Sequence, residues 1–265
     1  MTDSLKTELI SSLKQAGAYD IRIANPDVGF AHALEGRHPR QLMPGCRSVI
    51  VFAVAMGPET NNTSLGPLPA KDIQISSGRP VEPANIKPAG YNVTRLSTLF
   101  RAQVKLAGVT FLHDRGFEIR HGGQLKLCAY EAGIGRYGRS GLILHPQLGN
   151  RMCLGVILTD AEMPADTKRE DHDPCRNCDL CVRSCPAGAF DPDKTYPDSW
   201  SFDICMPKRK EIAAEGSYCH NCFAACPAGQ YKDEDLLFLA ESKSYFNNET
   251  RAEIDVKTKE IYPKE

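Results

Sequence analysis

Long apolar runs are absent from this chain. No stretch approaches the roughly 18 uninterrupted apolar residues that a membrane-spanning helix needs. The first residues, Met-Thr-Asp-Ser-Leu-Lys-Thr-Glu, contain neither a basic segment followed by an apolar run nor a twin arginine. We therefore expect a cytoplasmic protein that has no membrane partner.

An excess of charge of either sign is also lacking. The 32 Lys and Arg residues nearly balance the 33 Asp and Glu residues, which gives a formal net charge of −1. The basic residues are scattered, and their densest cluster, Lys208-Arg209-Lys210, is short. Because a nucleic-acid footprint needs a clustered basic surface, we expect no nucleic-acid partner.

Several common catalytic motifs are missing. The seven histidines form no HExxH pattern, and the chain contains no nucleophile elbow, no phosphate-binding loop and no convincingly spaced pair of carboxylates. These absences argue against zinc proteases, serine hydrolases and P-loop nucleotidases.

Cysteine is abundant instead, and its spacing is the most informative feature of the sequence. Eight of the eleven cysteines form two runs, C-x2-C-x2-C-x3-C-P and C…C-x2-C-x3-C-P, between positions 175 and 226. An odd cysteine count without a secretion signal argues against a disulfide scaffold. The spacing is typical of a chain that wraps two 4Fe–4S clusters, whereas structural zinc sites favour C-x2-C pairs separated by a longer loop.

The pattern also predicts which thiolate serves which cluster. In such runs three cysteines hold one cluster, and the fourth, before proline, reaches the other. Cluster 1 is expected to be held by Cys175, Cys178, Cys181 and Cys226, and cluster 2 by Cys185, Cys205, Cys219 and Cys222. The three remaining cysteines, Cys46, Cys128 and Cys153, are interpreted as small buried hydrophobes.

The rest of the chain predicts an α/β (α+β) fold. Apolar periodicity predicts helices over 4–17, 91–115 and 123–132 and strands over 19–24, 117–121, 142–144 and 152–159. Ser48–Met56 is a continuous β-branched run, typical of a strand buried on both faces. The Pro- and Gly-rich segment 57–90 is either a lid or a surface excursion, and 160–174 is a polar linker. These features predict a cofactor- or substrate-binding module (1–165), a double-cluster module (166–235) and a tail (236–265).

A glycine loop precedes the cysteines. Gly133, Gly135 and Gly138 match the dinucleotide-binding pattern, but a helix precedes them and a strand follows, which is the reverse of the required context. The glycines, with Arg139 and Ser140, could still let the backbone approach a flat or anionic ligand; the alternative is a plain connection. Candidate proton donors or anion stabilisers are Tyr91, Arg120 and Tyr137.

These segments together resemble a known superfamily. Residues 132–149 (A-G-I-G-R-Y-G-R-S-G-L-I-L-H-P-Q-L-G), residues 156–160 and the double cysteine run are similar to epoxyqueuosine reductases and reductive dehalogenases. Residues 38–51 and the placement of Tyr91 before a long helix also resemble the epoxyqueuosine reductases.

The resemblance implies a nitroreductase-like module that binds a corrinoid (cobalamin) with its base displaced, and a ferredoxin-like double-cluster module. The clusters would feed electrons to cobalt for the reductive removal of oxygen or halogen, and ferredoxin or flavodoxin would be the electron donor. Where epoxyqueuosine reductases carry a proton-donating Asp, this chain has Glu118-Ile-Arg-His-Gly-Gly123. The 265 residues also show no counterpart of those enzymes' RNA-gripping helical-repeat tail, so the expected substrate is a small molecule.

Two alternatives remain open at the level of sequence. The chain could be a non-enzymatic, ferredoxin-like electron carrier or redox partner protein, or a reductase that holds flavin instead of a corrinoid.

Overall fold

The computed structural model describes residues 2–55, 64–65, 94–169, 174–175, 178–194, 196, 198–214, 219 and 221–228. Tyr91, most of the segment 57–90 and the tail 236–265 lie outside the described residues. The strands are β1 (Asp20–Ala24), β2 (Ser48–Ala55), β3 (Ser64–Leu65), β4 (Thr94–Arg95), β5 (Ile119–Arg120), β6 (Arg136–Tyr137), β7 (Ile143–Leu144) and β8 (Met152–Thr159). The helices are α1 (Thr2–Gln15), α2 (Pro39–Leu42), α3 (Leu96–His113), α4 (Leu125–Glu131), α5 (Leu180–Arg183), α6 (Phe202–Ala214) and α7 (Asn221–Ala224).

A four-stranded antiparallel sheet forms the centre of the fold, in the order β1-β2-β8-β5. The mixed α/β class predicted from the sequence is confirmed, and the helices over 4–17, 91–115 and 123–132 correspond to α1, α3 and α4. None of the described helices is long and apolar enough to cross a membrane.

Strand β2 is buried on both faces, as its continuous apolar run predicts; every residue from Ser48 to Val54 is buried. Because side chains alternate along a strand, Ile50 and Phe52 face one layer, and Val49 and Val51 face the other. The first layer is formed by α1 and α3, and the second by α4 and the glycine loop. Both layers are thus positioned by one strand.

The polar segment 161–169, predicted to be a linker, lies along the outer edge of β1. The Ile23 amide donates to Asp166 Oδ2 (2.8 Å), and the Asp166 amide donates back to the Ile23 carbonyl (2.8 Å). Lys6 Nζ on α1 also donates to Asp166 Oδ1, at 2.9 Å. These hydrogen bonds fix the position of Asp166 beside β1, from which the chain continues towards the cysteines.

The cysteine module packs against the glycine loop. Asn150 Nδ2 donates to the Phe223 carbonyl in α7 (2.7 Å), and Ser199 Oγ donates to the Arg139 carbonyl (3.3 Å). These contacts bring the two cysteine runs next to the turn between β6 and β7.

Strand β8 needs glycine at position 155, because the Phe52 ring lies close to its backbone there. Gly155 lies opposite Phe52 in the β2–β8 register, and a Cβ at this position would overlap the Phe52 ring, which is fully buried. Gly45 is a useful contrast, since a Cβ there would meet nothing within 4 Å.

We predict that Gly155→Ala lowers the free energy of unfolding by about 1–3 kcal/mol, because the core must shift to admit the added methyl group. Gly45→Ala is the control and should change it by no more than about 0.5 kcal/mol. Urea unfolding followed by circular dichroism measures both, and equal effects of the two substitutions would contradict the close approach at Gly155.

Candidate cofactor site and cysteine module

The first group of thiols surrounds Cys226, which follows α7 and is buried. Burial raises the pKa of the Cys226 thiol, and the neighbouring thiols of Cys175, Cys181 and Cys178 raise it further. The Cys178 amide donates to the Cys175 carbonyl at 2.7 Å, in a tight turn that leads into α5. Four cysteines from both ends of the module therefore interact electrostatically.

The second group surrounds Cys222 in α7. Burial raises the pKa of this thiol to about 11, with further contributions from Cys219, Cys185 and Cys205. Burial, with smaller contributions from Cys175, Cys178 and Cys222, raises the pKa of Cys181 to about 12, so Cys181 interacts with members of both groups.

The cysteines of the module fit iron–sulfur binding. Within the described part of the chain, no three or more His, Cys, Asp or Glu side chains are arranged to hold one metal ion. A 4Fe–4S cluster takes one thiolate per iron, so its four ligands stand farther apart than the ligands of one zinc ion. Two groups of four interacting thiols match that requirement.

Backbone amides are directed at two of these sulfurs. The Arg139 amide donates to Cys175 Sγ (3.3 Å), and the Ala189 amide donates to Cys185 Sγ (3.4 Å). Hydrogen bonds of this kind stabilise thiolates and tune the potential of a cluster. The three other cysteines are apart from the module: Cys46 and Cys128 are buried in the core, and Cys153 is half-buried on β8.

A cavity of about 880 Å³ opens beside Cys175, between the glycine loop, α4 and the cysteine module. Besides Cys175, its walls include three residues predicted for the catalytic or cofactor site, Tyr137, Gly138 and Arg139. The other lining residues are His32, Ala33, Leu34, Gln124, Leu127, Tyr130, Arg136, Pro174, Cys175 and Tyr196.

Other predicted site residues lie elsewhere. A Cβ at Gly133 would lie 2.7 Å from the Thr167 carbonyl oxygen, and one at Gly135 would collide with the Leu144 backbone. Glycine at these two positions therefore allows the backbone of Thr167 and Leu144 to pack closely against the loop. Ser140 is buried and is not among the residues that line this cavity, and Arg120 is exposed on β5.

Three tyrosines form an aromatic wall of the cavity. Tyr137 and Tyr196 stack with ring centroids 4.2 Å apart and planes 16° apart, and Tyr130 lies 5.3 Å from Tyr137. Burial raises the pKa of Tyr137, with a smaller contribution from Tyr196, so the phenol keeps its proton at neutral pH. Sequence reasoning missed Tyr130 and Tyr196; an aromatic residue between the cysteines, at position 196, was the available signal.

Asp20 at the start of β1 holds the glycine loop and the turn after it in place. Its Oδ2 lies 3.2 Å from His145 Nε2 and accepts a hydrogen bond from Arg169 Nη2 (3.0 Å), while Arg169 Nη1 donates to the Ile134 carbonyl (2.9 Å). His145 Nδ1 accepts from the amides of Gln147 and Leu148, which places the ring proton on Nε2.

Electrostatics keep Asp20 ionised at this position. Burial alone would raise its pKa, but the His145 hydrogen bond and the Arg169 charge outweigh burial and hold the pKa below its usual range. The carboxylate is therefore a charged anchor under the loop at neutral pH.

Comparison with known proteins starts from sequence. No family model matches the chain. Over 115 residues it is 31% identical to the tetrachloroethene reductive dehalogenase of Desulfitobacterium hafniense, covering 37% of this chain and 21% of the dehalogenase. Over 247 residues it is 27% identical to the epoxyqueuosine reductase of Bacillus cereus, covering 87% of this chain and 59% of the reductase. The chain thus spans less than two thirds of the length of these curated relatives.

Solved structures of both kinds share the fold. A reductive dehalogenase, whose structure suggests a mechanism for B12-dependent dehalogenation, superposes with a TM-score of 0.63 at 19% identity, over 98% of this chain and 36% of its own. The epoxyqueuosine reductase of Bacillus subtilis superposes with a TM-score of 0.58 at 19% identity, over 91% of this chain and 67% of the reductase chain. These similarities in sequence and fold support a relationship of the chain to the epoxyqueuosine reductases and the reductive dehalogenases. The resemblance stated from the sequence is confirmed.

The comparisons show that one expectation, the absence of a nucleic-acid partner, is wrong. An epoxyqueuosine reductase in complex with an epoxyqueuosine-modified tRNA stem loop has this fold, with a TM-score of 0.57 at 18% identity over 96% of this chain and 70% of its own. Net charge is an average over the whole surface, and a near-zero average does not exclude a local contact with RNA.

We predict that Asp20→Asn lowers the free energy of unfolding by about 1–3 kcal/mol, because it leaves Arg169 without its charged partner. Asp27→Asn is the matched control. Asp27 pairs with Arg40 in an exposed site (57% and 38% exposed), so its loss should cost about 0–1 kcal/mol. Urea unfolding without oxygen measures both, and equal losses would show that the Asp20 cluster is not an anchor.

Proposed function

We propose that this chain is an iron–sulfur oxidoreductase that passes electrons through two 4Fe–4S clusters to a corrinoid, for the reductive removal of oxygen or halogen from a substrate. The observation that carries the proposal is that Cys175, one of a group of four thiols, lines a large, aromatic-walled cavity. The likeness to reductive dehalogenases supports it, since the mechanism suggested for one of the same fold is B12-dependent dehalogenation.

The clusters would occupy the two thiol groups. Cys175, Cys178, Cys181 and Cys226 would hold cluster 1, and Cys185, Cys205, Cys219 and Cys222 would hold cluster 2. Support comes from the electrostatic neighbours of Cys226 and Cys222, which divide the eight thiols in this way. Residues 166–235 would then be a ferredoxin-like module, and residues 1–165 a nitroreductase-like module that holds the acceptor.

The cavity suits a large organic cofactor. Its volume of about 880 Å³ lies at the upper end of the approximately 300–1,000 Å³ range of ligand pockets. When bound there, a corrinoid would supply a metal centre that accepts electrons singly. Cys175 lines the cavity, so a cofactor in it would lie next to a ligand of cluster 1.

Residues of the cavity would orient the cofactor and supply charge and protons. The stacked pair Tyr137 and Tyr196 lines the cavity and offers an aromatic surface to a cofactor. The Tyr137 hydroxyl, proposed as a proton donor or anion stabiliser, and the positive charge of Arg139 lie at the same wall. Arg120 and Tyr91 stay predictions for the catalytic site. The reaction is proposed to occur in the cytoplasm.

We predict that Cys185→Ser damages cluster 2 and that Cys226→Ser damages cluster 1, although each cysteine lies in the opposite run of the sequence. Electron paramagnetic resonance of the reduced proteins measures which cluster is lost. Cys153→Ser is the control, because Cys153 lies on β8 and should leave both clusters intact. Loss of the same cluster in both variants would contradict the crossed assignment.

The cofactor content tests the proposal as a whole. Protein purified without oxygen and reconstituted with cobalamin should contain about eight iron atoms and one cobalt atom per chain, measured by mass spectrometry. Tyr196→Ala should weaken cobalamin retention by about 2- to 10-fold, because a stacked aromatic face is lost.

Tyr19→Ala serves as the control for that substitution, since Tyr19 is 46% exposed and does not line the cavity. A chain that keeps its iron but retains flavin, identified by its absorbance, would contradict the corrinoid. Iron without any organic cofactor would instead favour an electron carrier.

A further inference from the structure

A second cavity, of about 400 Å³, lies on the other side of the start of α4. It is bounded by α3, by the Gly122–Gly123 turn and by β8. Leu125 lines this cavity, while the preceding residue, Gln124, lines the cavity beside Cys175. The two spaces are therefore adjacent.

Three basic side chains line the second cavity: Arg101 and Lys105 on α3, and His121 before the turn. The described residues that line it include no acidic side chain. Within the described part of the chain, none of the three basic groups has an ion pair or a side-chain hydrogen bond. This contrasts with Lys6, Arg40 and Arg47, each of which has a carboxylate partner.

The surroundings of Lys105 and His121 disfavour the protonated forms of these two side chains. Burial lowers the pKa of Lys105, and the charge of Arg101 lowers it further. Burial likewise lowers the pKa of His121, with a smaller effect from Lys105. The residues that the structure describes provide no counter-charge for these like charges, and a bound anion would provide one, since opposite charge favours the protonated forms.

The rest of the lining is apolar. Val109 on α3, Leu125 on α4, and Leu154 and Val156 on β8 face the space between the basic groups and the sheet. A fully hydrated inorganic ion would gain nothing from these surfaces, whereas a ligand with an apolar body would bury them.

We propose that this cavity binds a small organic anion, of the class of aromatic or branched carboxylates, with its charged group between Arg101 and Lys105 and its apolar body against β8. The site needs neither the clusters nor the corrinoid for binding, so it can be tested independently of the proposed redox function.

Isothermal titration calorimetry with benzoate as the probe tests the site, and benzyl alcohol is the neutral comparison of the same shape. Benzoate should bind at least about tenfold more tightly than benzyl alcohol, because a hydrogen bond to a charged group is worth about 1.5–3 kcal/mol. Lys105→Gln and Arg101→Gln should each weaken benzoate binding by at least about tenfold and leave benzyl alcohol nearly unchanged.

Lys14→Gln is the matched control, because Lys14 is an exposed lysine on α1 and lies outside the cavity. Ala102→Leu, which adds volume inside the cavity while keeping all three basic groups, should weaken both probes. Circular dichroism confirms that each variant is folded.

The proposal is overturned if benzoate does not bind the parent protein, if benzoate and benzyl alcohol bind equally well, or if Lys14→Gln weakens benzoate as much as Lys105→Gln does. Failure to retain clusters or cobalamin would contradict the proposed function and leave benzoate binding unaffected, so the two failures are distinguishable.

Discussion

The pairing of β2 with β8, buried on both faces, is the constraint on which the rest of the structure depends. One face of this strand pair positions α3, and the other positions α4 and the glycine loop. Strand β8 lines the smaller cavity through Leu154, Gly155 and Val156, whereas the larger cavity is lined by α4 and the glycine loop, which pack on the pair. A change in the register of β8 would displace both, because a one-residue slip moves every side chain to the opposite face.

The junction between the sheet and the cysteine module is where the proposed electron transfer from cluster 1 to the cofactor in the large cavity would take place. The Arg139 amide donates to Cys175, the Arg139 carbonyl accepts from Ser199, and Tyr137 stacks on Tyr196. Backbone and ring contacts therefore cross this junction together. Such contacts hold a thiol group and a cavity wall at a fixed separation, which is the requirement for single-electron transfer between bound cofactors.

Local patterns in the sequence were sufficient to predict the central strand, the main helices and the grouping proposed for the eight cysteines. Ser48–Ala55 is apolar and β-branched throughout, and the cysteine spacing limits which ligand sets are geometrically possible. These signals are local because each depends on neighbours only a few residues away.

Long-range contacts could not be predicted in this way. Asp20 lies 125 residues from His145 and 149 from Arg169, and only the folded sheet brings them together. The same holds for Tyr196 against Tyr137, and for Arg101 and Lys105 near His121. The expectation that the chain has no nucleic-acid partner failed for a different reason. Net charge and composition do not describe the shape or the local charge of a surface.

The hydrogen bonds between Ile23 and Asp166 have a consequence for solubility during and after folding. Strand β1 is an edge of the sheet, and an uncovered edge offers unpaired amides and carbonyls to the strands of other molecules. Asp166 satisfies both backbone groups of Ile23, and Arg22 donates to the Thr167 carbonyl at 3.1 Å. The segment that leads to the cysteines thus also covers this edge, and protects the molecule against edge-to-edge aggregation.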